Sequence, residues 1–168
     1  MDHDYGKPTG KEEVIGDVKE EEFYYYYQKY KFLSIKDDAG LTVIHHAAEE
    51  GNTVAIHYLV LLGQDINVKD NEDRTPLHWA AYSGHVDTCR YLLNRSNSLA
   101  NPKDINGATP LHWAVIKSHY PVVQLFIEFN IPLFVKDNHG STPYDIALRH
   151  QFQYEFFFSN IFKFFFFL

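Results

Sequence analysis

The sequence predicts an all-α solenoid, a row of helix-turn-helix units with short hairpin fingers at their bases. Four segments open alike: Lys36-Asp37-Asp38-Ala39-Gly40-Leu41-Thr42, Lys69-Asp70-Asn71-Glu72-Asp73-Arg74-Thr75, Lys103-Asp104-Ile105-Asn106-Gly107-Ala108-Thr109 and Lys136-Asp137-Asn138-His139-Gly140-Ser141-Thr142. Their threonines are 33, 34 and 33 residues apart, a period characteristic of stacked helical hairpins. A matching block follows each one: Val43-Ile44-His45-His46-Ala47, Pro76-Leu77-His78-Trp79-Ala80, Pro110-Leu111-His112-Trp113-Ala114 and Pro143-Tyr144-Asp145-Ile146-Ala147.

Each element has a physical reason. Each Thr caps a short first helix through its hydroxyl. Pro76, Pro110 and Pro143 occupy the first helical position, where a missing N–H leaves nothing unsatisfied. Gly40, Gly107 and Gly140 fall in the preceding turn, which calls for a left-handed residue. Asp73 takes that place in the second unit, and Asp tolerates it. A second helix follows, with apolar spacing such as Val54, Ile56, Leu59, Leu62 and Val86, Cys89, Leu92, Leu93. Gly63, Ser96 and Asn130 hold its stop position, where Gly and Asn suit a left-handed cap better than Ser does. Pro121 falls within the first turn of its helix. The extra residue of the longer step is expected in an irregular loop at 95–101.

This register resembles the ankyrin repeat, with its D-x-x-G-x-T-P-L-H-x-A-A pattern, over residues 37–150. The units run 37–69, 70–103, 104–136 and 137–158 in a domain spanning 36–158. Residues 32–37 align with 65–70 at the same step of 33, so 19–35 reads as a degenerate half-unit that caps the stack. Residues 1–18, with Pro8, three glycines and mixed charge, read as a disordered terminus with no apolar signal core.

Composition excludes several classes of function. Fifteen Lys and Arg against 22 Asp and Glu give a net charge of −7, which is no electrostatic footprint for nucleic acid. A single cysteine, Cys89, rules out an internal disulfide framework and any CxxC metal knuckle, and fits a reducing compartment. Aromatic residues make up 17% of the chain, but most fall in two end runs, 23–32 and 152–167. Phe152–Phe162 occupies the slot of the fourth unit's second helix, and its rings wrap the whole helix where a cap would be polar outside. Residues 159–168 continue apolar. They are too short to cross a bilayer, which needs ~20 residues, and read as the start of a membrane or partner-covered segment, or as a truncation.

The wording of the repeats narrows the resemblance. Leu-His-Trp-Ala occurs at 77–80 and 111–114, Gly63-Gln64-Asp65-Ile66 precedes Thr75-Pro76-Leu77-His78-Trp79-Ala80-Ala81-Tyr82, and the last unit reads Asp137-Asn138-His139-Gly140-Ser141-Thr142-Pro143-Tyr144-Asp145-Ile146-Ala147. This is similar to the cytosolic ankyrin region of DHHC-type protein S-acyltransferases. The resemblance implies substrate recruitment on the cytosolic side of an endomembrane. The family's Asp-His-His-Cys centre has no counterpart here, so the chemistry would belong to other sequence. The alternative is a freestanding ankyrin adaptor in the cytoplasm.

The residues themselves point to binding, with neither cofactor nor metal. Cys89 sits at an apolar helix position without a partner base, the place of a core residue. His45, His78 and His112 recur one unit apart and form a ladder; ankyrin-type His at this slot bridges the Thr hydroxyl and nearby turn backbone. A ladder does not converge on one metal ion, His45 and His46 beside His78 being the nearest to an exception. The Lys-Asp steps at 36–37, 69–70, 103–104 and 136–137 read as solvated pairs that keep register. Trp79 and Trp113 fall on adjacent first helices, toward the concave face that such solenoids use for binding, with inter-repeat packing as the competing role. Tyr82, Glu72, Asp73 and Arg74 extend that face or its fingertips, and His46 is counted with them. The expected partner is a protein or extended peptide with apolar or Pro residues and some positive charge, because the repeats are net acidic.

Overall fold

A computed structural model of the chain describes residues 31–95 and 101–149. The expected disordered terminus, most of the capping half-unit, the irregular loop with Ser96, the fourth unit's second helix and the Phe-rich tail lie outside the described residues. The compact unit that carries the helices begins at Leu33.

After a 3-10 turn at Lys31–Ser34 come seven α-helices: α1 (Val43–Glu49), α2 (Thr53–Leu61), α3 (Pro76–Ser83), α4 (Val86–Arg95), α5 (Pro110–Ile116), α6 (Tyr120–Glu128) and α7 (Pro143–Arg149). No strand occurs among the described residues. Helices α1, α3, α5 and α7 pack each against the next as an inner row, and α2, α4 and α6 form an outer row hairpinned onto it. The fold is the all-α stack that the sequence predicts.

Helices of seven to ten residues are marginal alone, so these hold through their ends and their packing. Thr42, Thr75 and Thr109 are N-caps in extended conformation. The residue three on, His45, His78 or His112, turns its Nδ1 back to accept the Thr N–H at 3.0, 3.1 and 3.0 Å. Small residues let the inner helices approach closely: Ala48, Ala80, Ala81 and Ala114 are fully buried. Between the rows, Ile44, Ile56, Leu92, Val122, Val123 and Phe126 fill the core, each side chain contributing roughly 1.5–3 kcal/mol.

The expected apolar face of α2 holds in part. Ile56 and Leu59 are buried, but Val54 is 67% and Leu62 37% exposed. Helix α2 packs mainly on α1 and α4, and it is the first outer helix among the described residues. On α4 the expected Cys89, Leu92 and Leu93 are buried.

The finger turns are built on aspartate. The Asp37, Asp70, Asp104 and Asp137 N–H groups donate to the carbonyls of Leu41, Arg74, Ala108 and Ser141 at 2.9–3.0 Å. The expected left-handed slots are left-handed: Gly40, Gly107 and Gly140 have φ of 71–79°, and Asp73 has φ 59°. A Cβ on Gly40 would stand 2.3 Å from Asn71 Oδ1, so this turn needs glycine for space as well as for φ. Asn71 lies over the Gly40 turn, its N–H and Nδ2 donating to Ala39 and Asp38 carbonyls. Asn138 does the same over Gly107. Over Asp73 the corresponding residue is Ile105, which uses only its N–H, on the Glu72 carbonyl. Gly63 and Asn130 are left-handed too, as their stop positions require.

Candidate functional site

Among the described residues, a polar and aromatic constellation lies on the inner row at units two and three, and it grows from Asp70. This side chain is wholly buried. Its Oδ1 accepts the Glu72 and Arg74 N–H groups at 2.8 and 2.9 Å, closing the finger. Its Oδ2 accepts Arg74 Nε at 2.7 Å and Trp79 Nε1 at 3.2 Å. Burial works to raise this carboxyl, but the Arg74 guanidinium and the backbone N–H groups outweigh it and hold the group below the ordinary carboxylate value. One buried carboxylate thus fixes both a cation and an indole.

Arg74 is aimed three ways. Its Nη1 meets Glu72 Oε2 at 2.9 Å, and its guanidinium carbon lies 4.6 Å from the Trp79 ring centroid and 5.9 Å from that of Trp113. Trp113 repeats the arrangement one unit on, its Nε1 donating to Asp104 Oδ2 at 3.1 Å. Tyr82 closes a triangle with the indoles, 6.0 Å from Trp79 and 5.3 Å from Trp113, with the indoles 6.4 Å apart. Lys117 Nζ lies 4.3 Å above the Tyr82 ring. All three rings are half-buried. The result is a rigid aromatic platform with cations on its faces, a geometry in which each such contact is worth about 0.5–2 kcal/mol.

The structure brings Trp79, Trp113, Tyr82, Arg74 and Glu72 together. Asp73 stands apart on the fingertip, 3.3 Å from Lys69 Nζ. His46 stands one unit away from the platform. It fills the slot of Trp79 and Trp113 in the first unit, and its Nε2 pairs with Asp37 Oδ2 at 3.0 Å as the indoles pair with Asp70 and Asp104.

Reading the Lys-Asp steps as solvated pairs is corrected here. Asp70 and Asp104 are buried turn-formers that receive ring N–H groups. Lys36 and Lys103 reach forward to the carbonyls of Lys69 and Lys136, at 3.1 and 2.8 Å. The recurrence of Asp at the same distance before the ring slot was the available signal. Lys117 carried none, since nothing in the other units marks its position.

The other candidates are structural. Cys89 is fully buried, and desolvation pushes its thiol well above the ordinary range. Each ladder histidine also reaches the next unit through Nε2, His45 to the Arg74 carbonyl, His78 to Ala108 and His112 to Ser141, all at 3.2 Å. Their nitrogens are thereby committed to backbone, including that of His45, the nearest metal candidate. Among the described residues no three His, Cys, Asp or Glu side chains converge as ligands. No helix among them is long and apolar enough to cross a membrane.

A stack of helical hairpins recurring every 33 or 34 residues defines a helical repeat solenoid. Family models described as ankyrin repeats match residues 23–104 and 92–147. Together they span most of the chain, which belongs to the ankyrin-repeat proteins, in general protein–protein interaction modules. No curated protein matches it.

Proposed function

We propose that the inner-helix face of units two and three recognises an extended segment of a partner protein, with Trp79, Tyr82 and Trp113 as its anchors. The observation that carries this reading is the fixing of both indoles by buried carboxylates while their faces stay half open. Aromatic groups held in place before binding lose little freedom when a partner arrives, which is why Trp, Tyr and Arg dominate binding hot spots. The double Leu-His-Trp-Ala wording supports a finer assignment, the substrate-recruiting region of a DHHC-type palmitoyltransferase, with acyl transfer performed by sequence outside this chain.

The test is capture of partners from a membrane-containing lysate by the full chain and by Trp113→Ala. The expected result is a set of proteins lost with the variant, many of them releasing a hydroxylamine-labile acyl group. Equal capture by both proteins would overturn the binding face. Capture that depends on Trp113 but brings no S-acylated protein would overturn the acyltransferase assignment.

A further inference from the structure

The repeats can be read against one another at the second oxygen of each finger aspartate. In units one to three this Oδ2 takes a ring N–H from the chain itself: His46 Nε2 at 3.0 Å, Trp79 Nε1 at 3.2 Å and Trp113 Nε1 at 3.1 Å. In unit four the ring slot holds Ile146, which has no donor. Asp137 still forms its turn, Oδ1 accepting the His139 and Ser141 N–H groups at 2.9 and 2.8 Å. Its Oδ2 has no donor among the described residues. An open cavity of about 390 Å³ lies there, lined by Ile116, Asp137, His139, Ser141, Ile146 and Arg149.

We infer that this cavity seats a tryptophan side chain of the partner, whose indole N–H donates to Asp137 Oδ2 and completes in trans what the other units complete in cis. The inference rests on the reading of this face as a protein-binding face. Three features select an indole. The walls at Ile116 and Ile146 are apolar, so the occupant has an apolar body. The oxygen can accept a hydrogen bond, which phenylalanine and leucine cannot donate. Arg149 stands at the rim, its Nη2 on Ser141 Oγ at 2.6 Å, and disfavours a lysine or arginine entering beside it. The same guanidinium suits an aromatic face, and unit two displays that combination within the chain: an indole N–H on the finger carboxylate and a guanidinium 4.6 Å above the ring.

The experiment is titration of the full ¹⁵N-labelled protein with N-acetyltryptophanamide and with its 1-methylindole analogue, followed by amide shifts. The expected result is saturable movement of the His139 and Ser141 signals, at least threefold weaker for the methylated compound. Ile146→Trp supplies the donor from the chain itself and is expected to abolish those shifts. Asp137→Asn keeps an oxygen for the turn, can present an N–H where Oδ2 was, and is expected to erase the preference for the unmethylated compound. Shifts confined to the Trp79–Trp113 region, equal binding of the two compounds, or undiminished shifts in Ile146→Trp would overturn the subsite. Partner capture that is lost in Trp113→Ala while Ser141 never responds would leave the recognition face standing and remove only this seat.

Discussion

His45 joins two units through one ring: its Nδ1 accepts the Thr42 N–H at 3.0 Å, and its Nε2 lies 3.2 Å from the Arg74 carbonyl oxygen. An acceptor at Nδ1 places the proton on Nε2, so the ring is neutral and its tautomer is set by the backbone. His78 and His112 are held in the same way.

Acid should therefore loosen the stack well before its carboxylates titrate. Desolvation lowers the pKa of all three rings, that of His78 to about 4. Between pH 6.5 and 4 the unfolded chain binds protons that the folded chain refuses, so stability falls as pH falls through that window. For His78 alone the loss at pH 5 is about 2 kcal/mol. The lowered carboxyls of Asp37, Asp70 and Asp145 contribute only below this window. Urea midpoints at pH 7.5, 6 and 5 should fall steadily, and His78→Gln should flatten the slope. Equal midpoints at pH 7.5 and 5 would contradict the account.

Gly84 is matched to His119. It has φ 82°, and a Cβ there would stand 2.6 Å from His119 Nδ1, whose Nε2 meets the Tyr82 carbonyl at 2.8 Å. Gly84→Ala should cost about 2 kcal/mol in chemical denaturation, part from the left-handed backbone and part from the displaced ring. In a His119→Ala background the same substitution should cost less, leaving the backbone share alone. Identical costs in both backgrounds would show that the ring yields freely.

The fingertips carry a second matched pair. Gly40 and Gly107 lie under Asn71 and Asn138, whereas Asp73 lies under Ile105. Introducing Ile105→Asn should help only once Asp73→Gly has made room, with a coupling energy above about 0.5 kcal/mol in the double-mutant cycle. Additive effects of the two substitutions would rule out the proposed fit.

Arg74→Lys should not be conservative. Lysine cannot supply both the Nε bond to Asp70 and a flat group over Trp79. Stability should drop by about 1–2 kcal/mol, and tryptophan emission should shift to the red as Trp79 and Trp113 gain water. An unchanged spectrum would separate the guanidinium from the platform.

The repeating parts of this protein were legible in its sequence because they are local. Thr75 and Pro76 state a helix start within two residues, and Gly40 and Asp73 share a left-handed slot whose backbone demand is independent of distant contacts. The platform was half legible. Trp79 and Trp113 announced themselves as large rings in equivalent slots, and Arg74, Glu72 and Tyr82 lie near them in the chain. What joins them was hidden, because a Lys-Asp pair at the foot of a turn looks the same whether its carboxylate faces water or an indole nine residues on. Lys117 belongs to the next unit and meets Tyr82 only when the helices lie side by side. Asp73 and His46 shared the slots or neighbourhood of the platform residues, but the stack carries one to the fingertip and leaves the other a unit away.

Cys89 turns the middle of the stack into its own reporter. Its thiol is sealed inside α4 and resists ionisation there, and it is the chain's only one. A maleimide dye will react with it only in molecules whose second hairpin has opened. The rate of labelling thus measures local breathing at the centre of the array, without any engineered probe.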